Sequence, residues 1–539
     1  MKEQIFVSSS NGESGQAAIS LVLMLGIFLL AALAFSVDLV NMWFHRQAVQ
    51  TAADAACQAG EMNMLDAVSG ISMANMGFTV GTAGDCVGSP SASICKYAGF
   101  NGYTGSGYTS TTSGSTVSWT FPASVSGITA PSATLTTNPF LQVTVTENVK
   151  TWFMGLLGFK YQKVAAVSTC GLVPVKAAPP LVVLNPSISG ALSEGGSSTV
   201  AVIGGPQRSL QVNSTSTTAV SLGGTSALDF SKAGPSGTGG DLGVVGGPST
   251  NPGGYSGGTT GRWLSPSSPL PDPYGSVPAP AKPAQCTSCS GTAVPHYWDG
   301  CPDPNGCTEY SPGYYPSGIT VKQTTAIFLP GLYYLGGDFS ANSLSTVRNG
   351  WTYHSTTGPV PAPSAADGVM FYLTNGAGMS FGSNSGSSTL DPLPSSYLLC
   401  NSSQTLPSGV PSTLNGSVLW AQCTANGTYD NYANLGTHSP DTESTAGSRG
   451  LLMFLDHSSS PPKNLSAGGG GSMAFAGAFY FHQATSYGDL FSLSGGSGTG
   501  TYVIGKIVAD QLYLGGNGSI TMALSSDAST YLLKTGIFQ

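Results

Sequence analysis

The chain has 539 residues, 74 of them Gly and 35 Pro, yet only 8% are charged and the formal net charge is −8. Soluble domains usually carry about 25% charged residues, so the surface must be built from Ser, Thr, Asn, Gln and Gly rather than ion pairs. With no Lys/Arg cluster, a nucleic-acid partner is excluded, and an apolar fraction of 40% with 22 Tyr and 21 Phe excludes a disordered chain.

Residues 1–15 form a short N-terminal segment expected on the cytoplasmic side. From Gln16 to Val37 there is no charge, which matches the ~20 residues a helix needs to cross a bilayer. The dozen Leu, Ile, Val and Phe residues in it favour insertion by about 4 to 7 kcal/mol. A cleavable signal peptide is the rival reading, with Lys2 before the apolar run and Ala32-Leu33-Ala34 as a small-residue site. The apolar character continues past that site through Phe35, Val37, Leu39 and Val40, which favours a retained transmembrane helix over 16–44. Lys2 and Arg46 nearly cancel in the positive-inside count. The large Cys-, Gly- and Ser-rich remainder therefore sets the orientation, with the bulk outside the cytoplasm. Asp38 is expected as a solvated carboxylate at the outer edge of the span.

Residues 45–177 read as a pilin-like α+β module. The helical pattern runs on to about Leu65, and Val49, Ala52, Ala53 and Ala56 recur at helical spacing as a candidate helix–helix interface; packing on the protein's own sheet is the alternative. Val117, Trp119 and Phe121 alternate as on one face of a strand, as do Leu141, Val143 and Val145. The apolar turn Thr151–Phe159 follows, then a further strand from Tyr161 to Ser168.

The strings Gly15-Gln-Ala-Ala-Ile19, Ser36-Val-Asp-Leu39 and Gln50-Thr-Ala-Ala-Asp-Ala-Ala56, with Trp152-Phe-Met-Gly-Leu-Leu-Gly158 and Val164-Ala-Ala-Val167, resemble the Tad (tight adherence, Flp pilus) assembly family, at its TadG-like N-terminal domain. The resemblance covers about Gly15–Val175. It implies a single-pass protein of the bacterial inner membrane with its bulk in the periplasm, linked to assembly or surface anchoring of a thin pilus. Its partners would be the lipid bilayer and pilus-assembly or envelope components. Ser20 stands where pseudopilins processed by prepilin peptidase carry Glu, so that processing is not expected. Longer TadG-like proteins often carry a metal-binding domain opening with Asp-x-Ser-x-Ser after an apolar strand. Here Leu181–Ser189 has Asn185 in place of the carboxylate, and a neutral amide is a weak ligand for magnesium.

Residues 178–230 contain short alternating runs at Thr199–Ile203, Ser209–Asn213 and Ala219–Leu222, expected as first β-coils. Residues 231–318 read as a Gly/Pro/Ser/Cys-rich loop, its later part clamped by cysteines. From 319 to 539, apolar runs bounded by glycine, such as Gly368–Thr374, Gly450–Leu455 and Tyr502–Leu514, suit stacked parallel strands covered on both faces. The fold class is thus mainly β behind one long N-terminal helix: a pilin-like module followed by a β-solenoid (right-handed β-helix), with a β-sandwich as the alternative.

Ten cysteines suit an oxidising compartment. Candidate disulfide partners are Cys86 with Cys95, Cys400 with Cys423, and the group Cys286, Cys289, Cys301, Cys307. The last begins as CxxC, but its second pair is too wide and His296 too isolated for a structural zinc site. No cofactor, metal or catalytic residue is expected: the histidines are scattered, and no nucleophile elbow, P-loop or zinc-protease spacing occurs. Asp299, Asp303 and Asn305 fail the calcium-loop order. Asp456-His457 are expected as exposed loop polarity, since neighbours on a strand face opposite ways. Two functions remain: a non-catalytic, membrane-anchored envelope protein of Tad/Flp pilus assembly, or a tethered β-helical carbohydrate-binding or carbohydrate-cleaving protein with a glycan partner.

Overall fold

The computed structural model describes residues 13–538 except 69–75, 129, 132–135, 177–178, 224–226, 276, 278, 342–343, 356, 358–367, 375, 383–390, 393–409, 415, 423–449, 458–462, 469–470, 484–486, 496–499 and 525–530. Cys400 and Cys423 lie outside the described residues.

A single helix runs from Glu13 to Val68. No proline interrupts it, and alanine-rich turns beyond Gln47 favour its continuation. Its first half is exposed on all sides, with Leu21 to Phe44 presenting large apolar side chains outward. The second half is buried along one face by Val49, Ala52, Ala53, Ala56, Cys57 and Met64.

That face lies on the protein's own antiparallel sheet, with strands in the order Gly84–Asp85, Gly114–Thr120, Phe140–Lys150, Tyr161–Lys176 and Tyr531–Phe538. Val117, Trp119, Leu141, Val143 and Val145 point into the shared core. Within the chain, the small residues at 49–56 are buried in the core that this sheet and the short helix Ser93–Phe100 share, which is the packing the alternative reading expects. Gly60 continues the same face: a Cβ there would sit 2.3 Å from Leu141 Cδ2.

The closing strand comes from the far end of the chain. Tyr531–Phe538 pairs antiparallel with Tyr161–Lys176, from Tyr531 opposite Lys176 to Phe538 opposite Thr169. Everything between Lys176 and Tyr531 is thus inserted between two neighbouring strands of the helix-bearing module.

The insertion is a β-solenoid of three sheets which, among the described residues, hold eleven, ten and eight strands. Among the described residues, strands of the three sheets pair in parallel, save for Thr292–Val294, which caps one end antiparallel to Cys307–Tyr310; a separate two-stranded antiparallel pair, Asp391–Pro392 with Thr413–Leu414, accompanies them. Successive strands step from sheet to sheet, as in Gly331–Leu335, Phe339–Ala341 and Thr346–Asn349. This arrangement replaces the β-sandwich alternative. Inside, side chains stack from coil to coil: Tyr333, Phe371, Met453, Phe479, Ile507, Leu181 and Leu210 form one ladder of cross-strand partners. All are nearly or fully buried.

The winding does not start at an end. Leu181–Val183, Leu192–Glu194 and Thr199–Gly204 lie in mid-stack, pairing on one side with the next coils and on the other with Ile507–Ala509, Gln511–Gly516 and Ile520–Leu524. From there the chain winds to one end at Trp263–Leu264. It then crosses to the opposite end, where Cys286 N donates to Tyr314 O at 3.0 Å, and winds back to meet its own beginning. The crossing stretch, 265–284, is a strap over the outer face of the ten-stranded sheet. Extended chain of this length reaches about 60 Å, ample for ten strands at ~4.8 Å spacing. Its prolines suit an extended path and lack the N–H groups that would otherwise need partners.

One expectation from the sequence is corrected here and another is given its physical cause. The region 231–318 is not one loop: Asp241–Val244 and Trp263–Leu264 extend the solenoid at one end, and Cys307–Tyr310 and Gly313–Tyr315 at the other. The continuous apolar strands arise because the ten-stranded sheet is covered on both faces, by the solenoid core inside and by the strap outside.

Corners between sheets are tight. Gly318 has φ +74°, and a Cβ there would lie 2.1 Å from Asp338 O of the next coil. Replacing Gly318 with Ala is expected to destabilise the solenoid by about 2 kcal/mol or more, through both backbone strain and overlap. Urea unfolding of the full-length protein should show this as a lowered midpoint with an unchanged slope.

Candidate functional site

Because the apolar half of the helix leaves the molecule unpartnered, the junction between helix and sheet is the first place to look for function. Here Asp38 is buried, only 1% exposed, and not solvated as its position in the sequence suggests. Its Oδ1 accepts the Trp152 N–H at 2.8 Å, and its Oδ2 accepts those of Phe153 and Met154 at 2.9 and 2.6 Å. The carboxylate satisfies three consecutive amides that open a short 3-10 turn, Met154–Leu157. Successive N–H groups at such a turn make a natural anion seat. The turn between Lys150 and Tyr161 is thereby clamped to the level where the charge-free run ends.

Further along the helix the contacts descend the hairpin in order. His45 Nδ1 lies 2.9 Å from Glu147 Oε2. Cys57 is bonded to Cys170, closing a loop with a sequence separation of 113. Neither of these cysteines was among the pairs suggested by loop-sized spacing, because no local spacing links them. A loop this long implies a stabilisation of about 4 to 5 kcal/mol in the chain-entropy account. Next comes Glu61, 2% exposed, whose Oε2 accepts the Gly171 N–H at 3.0 Å and the Gly536 N–H at 3.1 Å. One helical carboxyl thus fastens both the outgoing strand and the returning one.

Of the other suggested cysteines, Cys86 is bonded to Cys95, Cys286 to Cys289 and Cys301 to Cys307. Asn185 holds a coil corner, accepting the Ser187 and Ile188 N–H groups and donating to Tyr487 O. Asp299 is buried rather than solvated, and accepts from Tyr353 N at 2.8 Å.

A second polar cluster lies where the strap crosses the solenoid. On the outer face of the ten-stranded sheet, Tyr314, Tyr334, Tyr372, Phe454 and Tyr480 are cross-strand partners in one row. Their ring centroids are 5.0 to 5.7 Å apart. The strap lies along this row, with Tyr274 edge-on to Tyr480 and Lys282 over Tyr314. Asn213 grips the strap's backbone by accepting Leu270 N–H and donating to Leu270 O. Asp272 of the strap accepts the Tyr480 hydroxyl at 2.6 Å. That hydroxyl is also 3.0 Å from His457 Nδ1, so His457 is half-buried in a network and is not exposed loop polarity. Beside it, His482 pairs with the buried Asp510 at 2.5 Å. Burial opposes the charged imidazolium of His482, but the Asp510 hydrogen bond and the Asp272 charge outweigh it and raise its pKa. Burial lowers that of His457. Asp510 Oδ2 in turn accepts the Gln483 and Asp489 amides. The cluster orders a chain crossing. Among the described residues, no group of three or more His, Cys, Asp and Glu is arranged to hold a metal ion.

Burial pushes the Glu61 carboxyl up to about 7, although two backbone N–H groups pull against it. Its folded pKa thus exceeds the ordinary 4.5, so the fold favours the protonated form. The resulting stabilisation is complete below 4.5 and is lost as pH rises through about 7. Thermal unfolding of the detergent-solubilised protein should show the transition falling across this window. Glu61→Gln, which keeps an acceptor oxygen without the charge, should flatten the dependence; an unchanged profile would assign it elsewhere.

Comparison with known families places these features. A Flp pilus-assembly TadE/G-like family model matches residues 15–68, the exposed span and its continuation on the sheet. A Tad-like Flp pilus-assembly model matches residues 45–169, from the helix junction to the strand carrying Cys170. No curated protein and no solved structure matches the chain. Within the matched segment lies the one helix, among the described residues, that is long and apolar enough to cross a membrane. Residues 15–169 of this chain, less than a third of its length, are thus similar to Tad-like Flp pilus-assembly proteins.

Proposed function

We propose that the protein is a non-catalytic, single-pass component of the inner membrane that serves Tad/Flp pilus assembly or surface anchoring. Its N-terminus lies in the cytoplasm, and its solenoid is displayed in the periplasm to pilus or envelope components. The observation that carries this reading is the insertion itself. The solenoid leaves and rejoins the Tad module through adjacent strands, Tyr161–Lys176 and Tyr531–Phe538, so the membrane-linked base holds it by both ends. A large body fixed to a membrane helix in this way suits display and docking.

Four disulfides among the described residues favour the oxidising side of the membrane. The non-catalytic reading is supported by the use made of the histidines and carboxylates of the solenoid. His457, His482, Asp272 and Asp510 hold the strap, and Tyr372 and Tyr480, which an aromatic glycan groove would have to expose, are buried beneath it.

The test is topological. The full-length protein should sediment with inner membranes, and a membrane-impermeant amine reagent should modify the exposed Lys232 and Lys322 in spheroplasts. Modification only after lysis would reverse the orientation, and recovery in the soluble periplasmic fraction would remove the anchor.

A further inference from the structure

The turn that Asp38 clamps carries a patch of a different kind. Trp152 is 66% exposed, Leu156 83% and Leu157 78%, with Phe153 and Phe159 also exposed. These side chains are not loosely presented. The Phe159 N–H bonds to Met154 O at 3.1 Å, and Gly158 closes the turn at φ +97°. The Thr151 hydroxyl donates to Phe159 O, and the Trp152, Phe153 and Met154 amides are held by Asp38. A fully bonded turn thus holds five large apolar groups outward.

Its position identifies what covers it. The charge-free run Gln16–Val37 rises about 33 Å as a helix, close to the ~30 Å of a bilayer's hydrocarbon core. Asp38, the next residue, bonds directly to the turn, so the apolar patch is continuous with the exposed face of the span at the level where hydrocarbon gives way to headgroups. Trp43 and Phe44, which follow Asp38 by five and six residues on the helix, are also exposed. Lys150 and Lys160 bracket the turn in the chain, and both are exposed, as are Lys163 and Arg46 on the adjoining strand and helix, in a chain holding only 17 Lys and Arg. The nearest carboxylates are engaged: Asp38 with the turn, Glu147 with His45 and Tyr103, and Asp54 with Gln50. Lys150 Nζ lies 5.9 Å from the Trp152 ring. Aromatic groups flanked by cations are what an anionic membrane interface favours.

We propose that the Trp152–Phe159 turn is a second membrane contact, inserted at the boundary between headgroups and acyl chains of an anionic bilayer beside the spanning helix. The inference rests on the reading of the helix as a membrane anchor. Two contacts at one level fix what a single helix leaves free, namely rotation about the helix axis and the tilt of the module above the surface.

The test uses full-length protein in vesicles of phosphatidylcholine and phosphatidylglycerol, with and without acyl-brominated phosphatidylcholine as a tryptophan quencher. Trp152→Phe and Trp43→Phe are compared with the wild type. The expected result is flotation with the vesicles and loss of a share of the lipid-dependent quenching in Trp152→Phe, comparable to that lost in Trp43→Phe. Leu156→Ser/Leu157→Ser should reduce the Trp152 share while leaving flotation and the Trp43 share unchanged. Flotation with quenching from Trp43 but none from Trp152 would overturn the insertion of the turn alone and assign the patch to a protein partner. Failure to float would remove the anchor and this proposal with it.

Discussion

The pairing of Tyr531–Phe538 with Tyr161–Lys176 is the constraint from which the rest of the architecture follows. Two neighbouring antiparallel strands bring the ends of the inserted domain side by side. A solenoid wound from one end to the other would separate its ends by the full length of the stack. Here the chain begins in mid-stack, winds outward, returns along the outside and winds back, so that Ile507–Ala509 meets Leu181–Val183. The strap is the geometric consequence, since a chain that starts in the middle must cross the stack once. The aromatic row on the outer face and the Asp272, Tyr480 and His457 network are what make that crossing stable.

The same logic governs the membrane end. A helix that is apolar all round for its first half can be stable only where lipid replaces water. The second half then needs a rigid connection to the sheet. Asp38, Cys57 and Glu61 supply it at successive levels, through backbone amides of the turn, a disulfide to Cys170, and amides of the outgoing and returning strands. These contacts make helix and sheet one body, so displacement of the anchor is carried into the strands from which the solenoid departs.

Features carried by local pattern were legible in the sequence. The charge-free run and the absence of proline mark the helix. Alternation at Val117/Trp119 and Leu141/Val143/Val145 marks the hairpin, and glycine-bounded apolar runs such as Gly450–Leu455 mark buried parallel strands. What local pattern could not carry was the pairing of distant segments. Nothing around Cys57 points to Cys170, nothing around Tyr531 points to Lys176, and an aspartate after an apolar span reads as solvated until the turn at Trp152 is placed against it. The proline-rich stretch 265–284 was misread with its surroundings as one loop, because an extended strap and an unstructured linker share a composition. His457 was misread because the group that orders it, Tyr480, belongs to the next coil.

The mid-stack seam also governs the order of biogenesis. Asn185 and Tyr487, bonded across it, are 302 residues apart, so the earliest coils emerge from the ribosome long before the strands that complete them. Until then Leu181–Val183 and Thr199–Gly204 present open hydrogen-bonding edges, the hazard that parallel sheets carry during synthesis. The base can close only after Tyr531–Phe538 has been made, because that strand docks on Tyr161–Lys176. A ribosome that stops early would leave a membrane-tethered stub with unsatisfied edges, the kind of product that quality-control proteases recognise.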